Sequence, residues 1–384
     1  MLAGTNVALG VSGSIAAVKT IELAHELRRH GAEVRAVMTD AARGIVHPWS
    51  VEFATENPVV TEITGSVEHV ELCGYDGWAD VLVLAPATAN TIGKVAGAID
   101  DTPVTTAATT ALGAGLPTVV APAMHEPMYD HPGVLESIER LESWGVEFVD
   151  PRLEEGKAKV ASEEAIVLDV ARAAGETPLA GEHVVVTSGA TSESIDPVRV
   201  VTNRASGRTG RAVAKACYAR GADVTLVHDG PDVSYADTLA AESAAEMLDA
   251  VRSVADGADA LVSAAAISDY TIETAPEKLR SGETLTLEFE PTPKLIDSIR
   301  AEHPELPIVG FKLETTGEDE AMIDAARESL ERAGLAFVVA NDASVMGSET
   351  TRVLFVSEDD VTVHEGEKAA IGGRIADALG DALA

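Results

Sequence analysis

Val7-Ala8-Leu9-Gly10-Val11-Ser12-Gly13-Ser14-Ile15-Ala16-Ala17-Val18-Lys19 runs from a short apolar segment, through a glycine–serine turn, into residues at helical spacing. Val7–Val11 has the length and branching of a strand. Ile15–His30 carries the helical pattern, and Gly31 closes it. Strand, turn and helix in that order is the repeating unit of an α/β fold. The unit recurs outward along the chain. Val34–Met38 is a second β-branched run. Val81–Ala85 (VLVLA) has no polar residue, as expected of a parallel strand covered on both faces. Thr118–Ala121 follows the Gly115–Pro117 turn, and Val134–Ser143 and Glu163–Ala174 read as helices.

Ala173–Gly181 (AAGETPLAG) interrupts the pattern with small residues, glycine and proline. The pattern then restarts with strands at His183–Thr187, Asp223–Val227, Ala260–Ala264, Leu306–Phe311, Ala336–Ala340 and Val353–Val356. Helices are expected at Gly210–Arg220, Ala244–Ala255, Glu318–Ala333 and Lys368–Leu383. The fold class is therefore α/β, with two Rossmann-like domains, each a mostly parallel sheet with helices on both faces. The expected boundaries are residues 1–175, a linker at 176–182, and 183–384.

At 384 residues the chain exceeds one average domain, and 46% hydrophobic residues supply material for two cores. The formal charge of −35 excludes non-specific binding to a nucleic-acid backbone, which would repel it. No stretch of about 20 apolar residues is free of charge, so no membrane span is expected. The first residues lack a basic start, so no signal peptide is expected. With two cysteines, Cys73 and Cys217, there is no disulfide framework, and the expected compartment is the cytoplasm. The acids are spread along the chain and lysine occurs only nine times. That pattern suits a folded protein of a high-salt cytoplasm, where screening makes self-repulsion tolerable. An ordinary acidic enzyme is the alternative.

Open α/β sheets bind ligands beyond the carboxyl ends of their strands. Gly10-Val11-Ser12-Gly13-Ser14 offers close backbone approach, hydroxyls and a following helix N-terminus, a combination suited to a phosphate. Many strand–helix turns carry the same residues for geometry alone. The spacing is not that of a dinucleotide fingerprint, and no P-loop lysine follows. Two further strand ends lead into Pro86-Ala87-Thr88-Ala89-Asn90-Thr91 and into Pro122-Ala123-Met124-His125-Glu126-Pro127-Met128-Tyr129. His69, flanked by Glu68 and Glu71, is a lone histidine, which is more often structural than catalytic. In the second half, Arg199, Arg204, Arg208 and Arg211 lie in a window with no acid, just before a helix. Guanidinium groups at a helix start suit a polyphosphate or a phosphorylated substrate, although salt bridges to distant acids would use them too. Lys278, Lys294 and Lys312 sit near turns and strand ends, and Asp269 follows a strand where it could hold Mg²⁺ or a ribose.

GVSGSIAAVK, EHVEL, APATANTIGKVA and PAMHEPMY, in that order, resemble the flavin-dependent cysteine decarboxylase family. The resemblance implies bound FMN, a trimeric unit with the flavin near the subunit contact, and a catalytic histidine where His69 stands. Gly10, Ser12, Gly13, Ser14, Thr39, Pro86, Thr88, Asn90 and Thr91 match the FMN-holding positions. Met124 and His125 fall in the loop that binds the substrate carboxylate. Oxidising a thiol to a thioaldehyde creates the electron sink that lets an adjacent carboxylate leave as CO₂, and the reduced flavin then returns the electrons. The chain departs from the family pattern at His125, where an asparagine is usual. It also departs in Leu153–Val160, where a flap cysteine is missing. Lys159, or Lys157, is the candidate substitute proton donor, against the weightier alternative that both only bind the substrate phosphate or face solvent.

VVVTSGATSESIDPVRVVTNRASGRTG, SAAAISDYTIETAPEKL, VGFKLET and ANDAS resemble the phosphopantothenate–cysteine ligase family. That resemblance implies use of CTP and Mg²⁺, an acyl-cytidylate intermediate handled with Asn203, and nucleotide or substrate contacts at Asp269, Lys278 and Phe311. Arg204, Arg208, Lys294 and Lys312 are the accompanying anion contacts, with Asp269 the metal position. Ala190 stands where proline is expected, and Arg208 where lysine is usual. Together the two resemblances imply coenzyme A biosynthesis. 4′-Phosphopantothenate and L-cysteine would be ligated first, and the product then decarboxylated to 4′-phosphopantetheine by a homo-oligomer, trimers of one domain and dimers of the other, up to a dodecamer. A ligase with an impaired flavin domain, and a regulatory flavoprotein that binds partner proteins, are the alternatives. FMN prenyltransferases share the decarboxylase fold but leave the second half unexplained.

Overall fold

The computed structural model describes residues 1–154, 157–280, 282, 284–314, 319–342 and 350–384, with 153, 154, 157, 314 and 342 described by backbone alone. Two units emerge, Met1–Glu176 and Thr177–Ala384.

The first unit is built on a five-stranded parallel sheet. Its strands are β1 (Asn6–Val11), β2 (Glu33–Met38), β3 (Val81–Ala87), β4 (Thr118–Pro122) and, beyond the two-residue β5 (Met124–His125), β6 (Glu147–Phe148). Their order is β2-β1-β3-β4-β6, with Val7 opposite both Val34 and Val81. All seven residues of β3 are buried, which explains its unbroken apolar run. The helix Pro103–Ala114 covers one face with Ala107, Ala108 and Ala111, in a core shared with Leu82, Leu84, Ile92 and Val95.

Composition hid several elements. The helices Pro48–Thr55, Ala89–Ala96 and Pro103–Ala114 are short or rich in alanine and threonine, so their periodicity is faint. The expected helix Ile15–His30 starts as a 3₁₀ turn, Ile15–Lys19, and becomes α-helical over Thr20–Arg29. A second, antiparallel sheet joins β5 to β7 (Arg152–Glu154) and β8 (Lys157–Lys159).

The second unit holds an eight-stranded sheet. The strands in chain order are β9 (His183–Thr187), β10 (Ser192–Asp196), β11 (Arg199–Thr202), β12 (Asp223–His228), β13 (Asp237–Ala240), β14 (Ala260–Ser263), β15 (Tyr270–Ile272), β16 (Phe289–Pro291), β17 (Ile308–Glu314), β18 (Phe337–Asp342), β19 (Thr350–Val356) and β20 (Val361–Glu367). The sheet order is β13-β12-β9-β14-β17-β18-β19-β20. It is parallel as far as β18, and β19 and β20 close the edge as an antiparallel hairpin. Met247 and Val251, Leu295 and Ile299, and Met322 and Ala326 bring three helices into one core with Val185, Leu261, Ile308 and Val338.

Arg208–Ala219 and Lys368–Leu383 pack against one another. Gly372 makes that approach possible, since a Cβ there would lie 2.6 Å from the Ala212 carbonyl oxygen. The stretch 176–182, composed like a spacer, is packed rather than free. Leu179 is fully buried and its N–H donates to the Arg220 carbonyl (3.0 Å).

Candidate functional sites

In the first unit the ends of β1, β3 and β4 are tied together by two serines. Buried Ser12 donates its hydroxyl to the Pro86 carbonyl (2.7 Å) and accepts the Thr88 N–H (3.0 Å). Ser14 accepts the Ala16 N–H at the start of the 3₁₀ turn and donates to the Ala123 carbonyl (3.2 Å). Gly13 fits because a Cβ there would meet that of Ala41 at 2.4 Å.

Around this junction lies a cavity of about 840 Å³, lined by Gly13, Thr39, Ala41, Thr88, Asn90, Thr91 and Met128 among others. Thr39 caps the helix Asp40–Arg43 by accepting the Ala42 N–H (3.2 Å), and Thr88 caps Ala89–Ala96 by accepting the Thr91 N–H (3.2 Å). A hydroxyl that accepts a capping N–H keeps its own proton to donate. The rim carboxylates are partly neutralised, Asp101 by Lys94 (2.7 Å) and Asp40 by Arg43 (3.0 Å). A cavity of this size with hydroxyl donors and helix starts on one side fits a flavin mononucleotide.

Of the residues expected at the flavin, Gly13, Thr39, Thr88, Asn90 and Thr91 line the cavity. Gly10, Ser12, Ser14 and Pro86 are not among the lining residues; the two serines and Pro86 belong to the hydrogen-bonded junction of the strand ends. Thr102, Thr105 and Thr106, at the start of Pro103–Ala114, also line the cavity; a Thr-Pro-x-Thr capping signal was there to be read.

Met124 and His125 form β5, which pairs with β8 so that Met124 faces Ala158 and His125 faces Lys157 in register. The segments expected to form the carboxylate loop and the flap are thus strands of one small sheet. Ala158 is buried and Lys159 half-buried; Glu155, Gly156 and the Lys157 side chain lie outside the described residues. Burial pushes the Cys73 thiol up to about 12, and does the same to Cys217.

His69 is the second residue of the helix Glu68–Cys73 and is half-buried. Its Nδ1 is buried with no hydrogen-bond partner among the described residues. His69 is not among the residues lining the cavity.

In the second unit a cavity of about 430 Å³ opens beyond the carboxyl ends of β9, β14, β17 and β18. Gly189, Arg204, Arg208, Ala264–Ile267, Asp269, Phe311, Leu313 and Asn341 line it. Arg208 begins a helix, so its cation and the N–H groups of the first turn lie together. Asn203 holds the wall by donating to the Ala266 carbonyl (2.6 Å) and accepting the Ala205 N–H (3.0 Å).

Lys294 is ion-paired with Asp269 and so reaches the site through it. Lys312 lies between Phe311 and Leu313 in β17 and is not among the lining residues, and neither is exposed Lys278. The Lys278 loop is instead anchored by its neighbour, since the Leu279 N–H donates to Asp196 (3.0 Å). Arg199 is likewise engaged, with Asp196 and the Leu279 carbonyl.

Among the described residues Asp269 is the single carboxylate lining this cavity, and no group of three or more His, Cys, Asp or Glu could hold a metal. Mg²⁺ fits such a place when phosphate oxygens and water complete its shell. Lys368 and Thr351 also line the cavity. Sequence reading passed over them, though Lys368 is one of nine lysines and opens a predicted helix.

The flavoprotein family model matches residues 1–175, and the model described as DNA/pantothenate metabolism flavoprotein C-terminal domain matches 179–382. The coenzyme A biosynthesis bifunctional protein CoaBC of Thermococcus kodakarensis is 51% identical over 364 residues, covering 93% of this chain and 90% of that protein. The chain belongs to the CoaBC family. The CoaBC protein of Escherichia coli is 34% identical, with 89% of this chain and 87% of that protein covered. A solved C-terminal domain of a CoaBC protein gives a TM-score of 0.46 at 27% identity, covering 54% of this chain and 98% of that one. Within the CoaBC family assignment, the flavoprotein match coincides with the unit that carries the hydroxyl-lined cavity. The C-terminal match coincides with the unit that carries the cationic one. Among the described residues no helix is long and apolar enough to cross a membrane.

Proposed function

We propose that the chain catalyses two consecutive steps of coenzyme A biosynthesis. The second unit acts as phosphopantothenate–cysteine ligase and the first as phosphopantothenoylcysteine decarboxylase, as membership of the bifunctional family implies. The observation that carries the ligase assignment is the strand-end cavity lined together by Arg204, Arg208, Asp269 and Phe311.

In the ligase, the carboxylate of 4′-phosphopantothenate attacks the α-phosphate of CTP, giving acyl-CMP and pyrophosphate. The cysteine amine then attacks the activated carbonyl and releases CMP. Arg204 and Arg208 counter the phosphate charge that builds in these steps, and Asp269 would hold Mg²⁺, which would supply further charge neutralisation. Phe311 forms the wall against the nucleotide. Asn203 fixes the Ala264–Ile267 wall over which the intermediate lies. Lys278, Lys294 and Lys312 are outer contacts, Lys294 through Asp269.

In the decarboxylase, bound FMN supplies the two-electron oxidation that makes the cysteine carboxylate labile and takes part in its reversal. Gly13, Thr39, Thr88, Asn90 and Thr91 hold it by backbone and hydroxyl contacts. Met124 and His125 position the substrate carboxylate, with His125 donating a hydrogen bond. His69 handles the thiol proton as an acid–base group. Lys159 supplies the proton that the missing flap cysteine would give.

Since His69 does not line the cavity of its own copy, we place the reaction at a contact between copies, in trimers of the first unit, with dimers of the second allowing a dodecamer. Trp49 (76% exposed), Phe53 (76%) and Tyr75 (87%) support this, because apolar groups that large are seldom left to water. The cytoplasm is the compartment.

The test uses protein purified in high salt. A yellow flavin spectrum is expected, and 4′-phosphopantothenate, cysteine, CTP and Mg²⁺ should yield CO₂ and 4′-phosphopantetheine. Phosphopantothenoylcysteine without CO₂ would leave the ligase alone. A colourless protein that forms no CMP would overturn both assignments.

A further inference from the structure

Sixty-three acidic residues leave few cations of this chain without a partner. Arg204, Arg208 and Lys368 nevertheless line one cavity, and among the described residues no carboxylate is paired with any of the three. The single acid in that lining, Asp269, is held by Lys294. We propose that Lys368 is a phosphate-binding residue of this cavity, acting beside Arg208 on a phosphoryl group of the bound reactants. The proposal rests on the ligase reading of the cavity and adds a residue from the far end of the chain.

Two packed helices bring Lys368 there. Gly372 lies against Ala212, and Arg220 is paired with Asp377 (2.7 Å). The pairs 372 with 212 and 377 with 220 advance in the same direction, so Lys368–Leu383 and Arg208–Ala219 run parallel. Both first residues, Arg208 and Lys368, line the same cavity. Parallel helices also add their positive ends at that point.

Burial lowers the Lys368 pKa, and the charge of Arg208 lowers it further. Crowded cations with no counter-charge are unfavourable until an anion arrives between them. An arriving phosphate then gains two charge-assisted hydrogen bonds rather than one. The phosphate ester of 4′-phosphopantothenate and the triphosphate of CTP share this chemistry.

The experiment compares the wild-type chain with Lys368→Met and Lys368→Arg in steady-state ligation, and measures inorganic tripolyphosphate binding by calorimetry. Lys368→Met should raise the KM of one phosphorylated substrate by about ten-fold or more. Lys368→Arg should stay within about three-fold of wild type. A raised KM for CTP with weakened tripolyphosphate binding supports the proposal and assigns the triphosphate. A raised KM for 4′-phosphopantothenate supports it and assigns the phosphate ester.

Unchanged KM values with unchanged tripolyphosphate affinity would overturn it. If wild type makes no ligation product, the ligase reading fails, while the tripolyphosphate comparison still judges Lys368. If Lys368→Met does not fold, acylation of wild-type lysines followed by peptide mapping decides. Protection of Lys368 by tripolyphosphate or 4′-phosphopantothenate supports the proposal, and absence of protection by either refutes it.

Discussion

Asp196 and Arg199 close on each other at the turn between β10 and β11, with Nε of Arg199 2.9 Å from Oδ2 of Asp196. Asp196 is 1% exposed and also accepts the N–H groups of Val198, Arg199 and Leu279. Burial alone would raise its pKa. The N–H groups of Val198 and Leu279, with the Arg199 guanidinium, outweigh that and hold it at about 2. Through Leu279 this carboxylate fixes the loop that carries Lys278. Asp196→Asn should lower ligase kcat/KM by about 10- to 100-fold, as displaced binding groups do, and leave decarboxylation intact. Because the folded pKa is depressed, the stabilisation is complete above about pH 4 and is lost as pH falls through about 2. Acid unfolding of wild type and variant should therefore converge at the lowest pH.

His69→Gln should cut decarboxylation by about 10²- to 10⁴-fold, the range for loss of an acid–base group. Flavin absorbance and CMP release should not change. CO₂ release at the wild-type rate would remove His69 from the reaction.

Lys159→Ala should slow decarboxylation by about 10²-fold, with a partial return in Lys159→Arg. With the enethiolate left without its proton the flavin stays reduced, so rapid-mixing absorbance should show the oxidised flavin band recovering slowly. An unaltered time course would assign the donor elsewhere.

A net charge of −35 makes the folded state sensitive to screening. The Debye length is about 10 Å at 0.1 M salt and about 3 Å at 1 M. The thermal midpoint should rise steadily between those KCl concentrations. A flat profile would mark an ordinary acidic protein.

Gly372→Ala places a methyl 2.6 Å from the Ala212 carbonyl oxygen and must spread the two helices. A loss of about 1–3 kcal/mol is expected in denaturant unfolding of the second unit. Weaker tripolyphosphate binding should accompany it, since Arg208 and Lys368 move apart.

The central strands were legible where burial on both faces removes polar residues altogether, as in Val81–Ala87, whereas the edge strands β6, β13 and β20 were not. The helices Glu163–Ala174, Ala244–Ala255 and Lys368–Leu383 were legible to their ends, where a capping Ser162 or Ser243, or the charged pair Glu367-Lys368, marks the start. Pro103–Ala114 escaped, since alanine and threonine give little contrast between faces. Arg204 and Arg208 stood out in the sequence because acids are missing around them. Lys368 did not, because its neighbours in the chain are acidic and the residues with which it shares the cavity follow β9 and β14 or lie in β17, β18 and another helix. Nor did composition show that Met124–His125 and Lys157–Lys159 pair, because two- and three-residue strands carry no periodicity.

That pairing bears on how the flap can vary between related chains. Along β8 the side chains alternate, with Ala158 turned inward and Lys159 on the opposite face. Deleting or inserting one residue would rotate every later position by half a pleat, driving an ammonium group into the space of a methyl. Flap length can therefore change in twos without penalty to the pattern, whereas single-residue gaps in this segment should be rare among functioning relatives.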